Sequence, residues 1–205
     1  MNVLQLVIIC LTGRVVFGKP DGAPTKSCYH MQPDHKRRDG FPPLVQTRPL
    51  DTIPYQLRAK IEGGFIRLFI TGSESEYVAG FLIQARESER GKPIGKFESS
   101  DLAKYQECDK DDQYPEFSSI THKDSSRKKM NITFLWSPAE PITKNITVRF
   151  YATLAKNHET FWLRASSNEI YVLDLKNGAP GQHSFFFILS SLTIFLTIDL
   201  SFVHY

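Results

Sequence analysis

The chain has 205 residues, 41% of them hydrophobic, with 25 Lys and Arg against 22 Asp and Glu and a formal charge of +3. That is apolar material for one sizeable core and too little for a second full domain. The charge excess is small and scattered, which excludes the concentrated basic face of a nucleic-acid-binding protein; no nucleic-acid partner is expected.

The chain opens on VLQLVIICLTGRVVF (3–17), an almost wholly apolar stretch broken by Arg14. Gly18 and Val16 place small residues where a signal peptidase reads them, so residues 1–18 are read as a removed secretory signal. Cys10 falls inside it, leaving Cys28 and Cys108 in the mature chain. Two cysteines allow one pairing. In an oxidising compartment a disulfide is expected, closing a loop of about 80 residues for about 4 kcal/mol; a free thiol pair is the alternative. The spacing matches no zinc pattern.

Between the cysteines, His30, Asp34 and His35 form a metal-capable trio by residue type, although ordinary polar loop residues are the simpler reading. The basic runs Lys36-Arg37-Arg38 and Arg127-Lys128-Lys129 read as solvated loops. FIRLFI (65–70) alternates like a strand, and YVAGFLIQAR (77–86) is a longer run of β formers around Gly80. Turn-rich links follow each, among them Glu89-Arg-Gly-Lys-Pro and Asp109 to Pro115. Ser119 to Lys123 is the next strand candidate.

MNITFLW (130–136) then alternates with Ile132, Phe134 and Trp136 on one face and Asn131, Thr133 and Leu135 on the other. In KNITVRFYATL, Ile146, Val148, Phe150, Ala152 and Leu154 point one way; Asn145, Thr147, Arg149, Tyr151 and Thr153 point the other. Asn131-Ile-Thr and Asn145-Ile-Thr are both N-glycosylation acceptors on the polar side. Trp136 reads as a core anchor beside Phe134, and Phe81 and Phe150 read as core anchors too. Trp162 is the better candidate for an exposed contact, with core still the simpler reading. Thr160 to Ala165 and Glu169 to Leu175 complete about seven strands, and no helical period appears in the mature chain. The expected fold is all-β, an antiparallel immunoglobulin-like sandwich over residues 19–175.

The last segment, 176–205, reads as a linker and hydrophobic tail. FFFILSSLTIFLTI (185–198) covers about 21 Å as a helix, against a hydrocarbon core of about 30 Å. Preceded by the small residues Asn177, Gly178 and Ala179, it resembles a glycosylphosphatidylinositol attachment signal. A C-terminal membrane helix and an incidental apolar tail are the alternatives. Any of the first two would make the membrane a partner through this tail.

Several stretches together resemble a known family. CYHMQPDH (28–35), GFLIQARE (80–87), KPIGKF (92–97), Cys108, ITHK (120–123), ITFLWSPAEP (132–141), VRFYATLA (148–155) and Phe161-Trp162 are similar, in order, to the reeler domain. This is the reelin N-terminal domain type, also found in insect proteins described as defence proteins and in ferric-chelate reductase-like membrane proteins. The resemblance covers about residues 20–166 and implies a reeler-type sandwich with Cys28 bonded to Cys108. The chain departs from the family where DHKRRDGFPPLVQ is charged instead of glycine-rich, and where Glu62-Gly63 replaces Pro-Gly.

Catalytic signatures are absent from the sequence. HExxH, GxSxG, a Walker loop and a dinucleotide glycine fingerprint do not occur. Asp109, Asp111 and Asp112 open like a calcium loop, but Tyr114 and Ile120 stand where that loop needs Gly and Glu. Glu74, Glu76, Glu87 and Glu89 show no partners that would mark an acid/base pair. No catalytic residue, metal or cofactor is therefore expected. The expected role is that of a non-enzymatic recognition module in the secretory pathway, secreted or on the outer face of the plasma membrane. The resemblance implies innate defence, with a microbial surface or a cell-surface protein as partner. A structural or adhesive role outside the cell is the alternative, and a redox-associated membrane protein the weaker one.

Overall fold

A computed structural model describes residues 21–40, 44–108, 114–141 and 143–172. The expected signal at 1–18, the Asp109–Asp112 stretch, the Asn177, Gly178 and Ala179 attachment candidates and the apolar tail lie outside the described residues. Among the described residues, no helix is long and apolar enough to cross a membrane.

Among the described residues, twelve strands make two antiparallel sheets and a short ribbon. One sheet has the order β1 (Tyr55–Glu62), β2 (Phe65–Gly72), β9 (Ile132–Ser137) and β5 (Lys96–Phe97). The other runs β11 (Thr160–Ser166), β10 (Ile146–Asn157), β4 (Gly80–Arg86), β7 (Ser119–His122) and β6 (Ala103–Tyr105), with β12 (Ile170–Val172) also on β10. The ribbon pairs β3 (Tyr77–Val78) with β8 (Lys128–Lys129). The all-β antiparallel class expected from the sequence is the observed one.

The alternation in the sequence explains the inner faces. Ile132, Phe134 and Trp136 from β9 meet Phe81 and Ile83 from β4 and Phe150 from β10 in one buried cluster. Phe81 approaches Phe134 with ring centres 5.4 Å apart, and Trp136 meets Phe150 edge-on at 5.9 Å. The Trp136 indole N–H donates to the Ile94 carbonyl at 2.9 Å, so its one polar atom is satisfied in the core. Gly95 is fixed by this ring: its φ is +65°, and an added Cβ would lie 2.0 Å from Trp136 Cζ2.

β1 is absent from the strands read in the sequence. It alternates over its first six residues, with Tyr55, Leu57 and Ala59 inward and Gln56, Arg58 and Lys60 outward, and Ile61 at its end is exposed. Gly63 (φ 54°) and Gly64 (φ 92°) join it to β2, with Glu62 opposite Phe65. Two successive left-handed residues are what a tight two-residue hairpin needs, and Gly63-Gly64 supply them, with Glu62 closing the strand pair.

One expectation about an exposed face fails, and for Trp162 the simpler reading, core, is the one observed. On β10, Tyr151 and Thr153 are buried although they lie on the polar side. Trp162 is buried together with Phe161, so both faces of β11 are covered. Trp162 joins the core and Phe161 is met from outside by His35, while residues 47–52 line the edge of β11: Arg48 N–H donates to the Phe161 carbonyl at 2.8 Å, and Trp162 Nε1 to Thr52 Oγ1 at 3.0 Å.

Candidate binding cavity

The outer face of β4 explains the GFLIQAR stretch. Its alternate residues Phe81, Ile83 and Ala85 fill the core, while Leu82, Gln84 and Arg86 point away from it and are nevertheless buried. A strand covered on both faces reads as a near-continuous apolar run. The cover is the N-terminal segment, which contains a single helical turn, α1 (Ser27–His30), and packs Met31 against Leu82 and Tyr151.

Polar groups attach this segment. Gln84 Nε2 donates to the Cys28 carbonyl at 3.1 Å and to Ser119 Oγ at 2.9 Å. The Arg86 guanidinium donates to the carbonyls of Cys28 (3.0 Å), Tyr29 (3.2 Å) and Glu89 (2.7 Å), and to Gln84 Oε1. Burial pushes its pKa down from the usual arginine range. Helix-end carbonyls, carrying partial negative charge, satisfy the cation in place of a carboxylate. Thr153 Oγ1 donates to the Met31 carbonyl at 2.7 Å, and the Cys28–Cys108 disulfide closes the segment covalently onto the loop after β6.

Where this segment leaves the sheet, beside the start of β4 and the end of β10, it roofs a cavity of about 540 Å³. Ala23, Pro24 and Met31 line one side, and Phe81, Leu82 and Ala155 the other. Three histidines border it. His35 stacks on His158 with centroids 4.6 Å apart and meets Phe161 edge-on at 5.6 Å. Burial, helped by the neighbouring His158, pushes the His35 pKa down to about 4, so the ring is neutral at pH 7. His122 Nδ1 accepts the Phe81 N–H at 3.1 Å, and burial also lowers its pKa. At the mouth, Arg127 lies 4.5 Å from the Tyr77 ring centre and Lys156 5.4 Å from it. Lys156 is already bonded to Glu76 at 2.8 Å.

The residues singled out in the sequence are now placed. Phe81, Phe134, Trp136 and Phe150 are all in the core. Asn131 and Asn145 are both exposed, each immediately before a strand, Asn131 with φ 71°. Asn131 is at the cavity end, two residues past β8. Asn145 precedes β10, whose far end lines the cavity from Thr153 onward, about 26 Å along the strand. His30, Asp34 and His35 are not brought together as a metal site. Asp34 pairs with Lys26 at 2.7 Å while His35 faces His158, and no group of three metal-capable side chains occurs among the described residues.

The second basic run is not a solvated loop. Lys128 is buried, and its ammonium donates to the carbonyls of Asp124 (2.7 Å), Ser126 (2.9 Å) and Ala79 (3.3 Å) and to the Asp124 carboxylate. Ser126 and this ammonium hold the Asp124 carboxyl well below the usual carboxylate range. Glu76 and Glu89 likewise have cationic partners, Lys156 and Arg164.

A family model of the reeler domain matches residues 26–177. The chain belongs to the reeler family. It is 30% identical over 173 residues to "Putative defense protein Hdd11" of Hyphantria cunea, covering 82% of this chain and 96% of that one. "Defense protein l(2)34Fc" of Drosophila melanogaster is 28% identical, with 82% and 97% covered. "Ferric-chelate reductase 1" of Bos taurus is 29% identical over 77% of this chain, but the match spans only 24% of the reductase.

Within this reeler domain, the sequence did not point to the cavity. His35 and His158 are 123 positions apart, and Arg127 looked like one of three adjacent surface cations. The outer face of 80–86 carries Leu82 between the core residues but also Gln84 and Arg86, so the covering layer over it leaves no apolar period in the sequence.

Proposed function

We propose that this reeler domain is a non-enzymatic recognition module that acts outside the cell and binds a component of microbial surfaces. The observation that carries this reading is the cavity between the N-terminal segment and the outer sheet face, a preformed concave site on a rigid sandwich. Family membership and insect relatives bearing defence names support the biological setting. The disulfide fits an oxidising compartment. Exposed sequons at Asn131 and Asn145 support glycosylation there, and the 177–179 stretch with its tail supports a lipid anchor at the outer membrane face.

The polar groups around the cavity support binding over catalysis. His122 Nδ1 is engaged by the Phe81 backbone, and the adjacent Thr121 hydroxyl donates to the Phe81 carbonyl at 2.8 Å. That pair therefore serves the sheet instead of forming a base and nucleophile.

An adhesive role is the second reading. It is favoured by Tyr105 and Phe117, whose rings meet at 4.5 Å while remaining 37% and 46% exposed on the edge of the larger sheet. The test is to incubate the purified secreted protein with bacterial and fungal cells and with immobilised matrix proteins. Saturable binding to the cells supports recognition; binding to matrix alone supports adhesion and overturns the first reading.

A further inference from the structure

We propose that the cavity binds a single-chain fatty carboxylate, with its alkyl chain on the apolar walls and its head group on the guanidinium of Arg127. The proposal rests on the reading of this chain as a recognition module and names its ligand class.

The walls select the chain. Ala23, Pro24, Met31, Phe81, Leu82 and Ala155 present mostly hydrocarbon to a space of about 540 Å³. That volume lies within the range of about 300–1,000 Å³ for small-molecule sites. Each buried methylene of a guest contributes about 0.8 kcal/mol, so affinity rises with chain length until the space is filled.

The charges select the head group. Asp34 lines the cavity but is ion-paired with Lys26 at 2.7 Å, and Lys156 is paired with Glu76 at 2.8 Å. Arg127 has no carboxylate within ion-pair distance among the described residues, and the Tyr77 ring beneath it holds the guanidinium at the mouth. These five charged groups leave a net charge of one positive, which a monoanion neutralises. A guanidinium also receives a planar carboxylate through two parallel hydrogen bonds. A dianionic phosphate head would carry a second charge toward Asp34 and Glu76, and a cationic head would face Arg127 directly.

A second feature marks this region as a site. Ser27 is only 3% exposed, borders the cavity, and its hydroxyl has no partner among the described residues. The same is true of Nδ1 on both His35 and His158. Native interiors rarely leave three buried polar atoms unpaired around one space, and such clusters call for a functional explanation.

The test uses the purified secreted protein and calorimetric titration with saturated fatty acids of increasing length. Alkyl phosphates, alkyl glucosides and alkyl trimethylammonium salts of matched length serve as controls. Two variants accompany it: Arg127→Glu at the mouth and Ala155→Phe, which fills the space, with near-UV circular dichroism to confirm folding. Expected are tighter binding with each added methylene, preference for the carboxylate, about tenfold weaker binding in R127E, and none in A155F. If A155F misfolds, R127E together with the head-group series decides. No binding at any length, a tenfold preference for the phosphate or glucoside, or undiminished binding in R127E would each overturn the proposal. Microbial binding that persists while fatty acids fail to bind would sink this ligand assignment and leave the recognition reading standing.

Discussion

Replacing Arg86 with Met tests the argument that a buried cation fastens the N-terminal segment to the sheet. Met preserves most of the buried volume but removes every donor. The carbonyls of Tyr29 and Glu89 and the Gln84 side-chain oxygen then lose the guanidinium, whereas the Cys28 carbonyl keeps Gln84 Nε2. Three acceptors left short of a donor cost about 1 kcal/mol each at the low end, so the expected loss is about 3 kcal/mol. The cost of burying a charge, reflected in the lowered pKa of Arg86, offsets part of a larger loss. Urea unfolding with the disulfide intact measures it, and Arg86→Lys should recover only part because an ammonium lacks the planar fork. The segment also roofs the cavity, so R86M should expose Met31 to oxidation faster than wild type. An R86M protein within 0.5 kcal/mol of wild type, on the order of an ordinary surface substitution, would refute the reasoning.

Other consequences are separately measurable. Replacing both Cys28 and Cys108 by Ser opens a loop spanning 80 positions and should cost about 4 kcal/mol in thermal or urea unfolding. Gly95→Ala forces a Cβ against the Trp136 ring at a left-handed φ, so it should destabilise by more than about 2 kcal/mol, read from the urea midpoint. His35 has a folded-state pKa of about 4 against 6.5 for the free side chain. The unfolded chain therefore takes up a proton before the native state does, and stability falls as pH drops from about 6.5 to 4. The His35 contribution is up to about 3 kcal/mol and does not grow below pH 4. His35→Phe keeps the ring contacts but should lose less stability between pH 7 and pH 4.5 than wild type by about 2 kcal/mol, measured by urea unfolding at both values. Tagged after Gly18 and expressed on cells, the protein should be released by phosphatidylinositol-specific phospholipase C; retention in the membrane would favour a C-terminal helix.

The inner half of this fold was legible because side chains alternate in strands. Ile132, Phe134 and Trp136 declared their shared face in six residues, and Val148 to Leu154 did the same. The outer layer was not legible in that way. Gln84, Arg86 and Lys128 are polar by composition and buried by tertiary cover, supplied by carbonyls distant in sequence or in neighbouring turns. β5 and β8 have only two residues each, too short to display any period. β1 was missed because Arg58 and Lys60 dilute its apolar content and Ala59 is a weak core signal, although its first six residues alternate. The cavity needs His35, His122 with Arg127, and His158 from three separate stretches, and only the topology brings them together.

Recognition through the cavity beneath the N-terminal segment is the proposal on which the functional reading of this reeler domain rests. The measurement that tests it most directly is a methyl NMR spectrum of the purified protein labelled at methionine, recorded with and without microbial envelope extract. Met31 lines the cavity and is fully buried, so its methyl signal reports occupancy from inside the site. The account predicts a saturable shift of the Met31 signal that is abolished in Ala155→Phe. An extract that binds the protein yet leaves Met31 unmoved would contradict it and place recognition elsewhere on the sandwich.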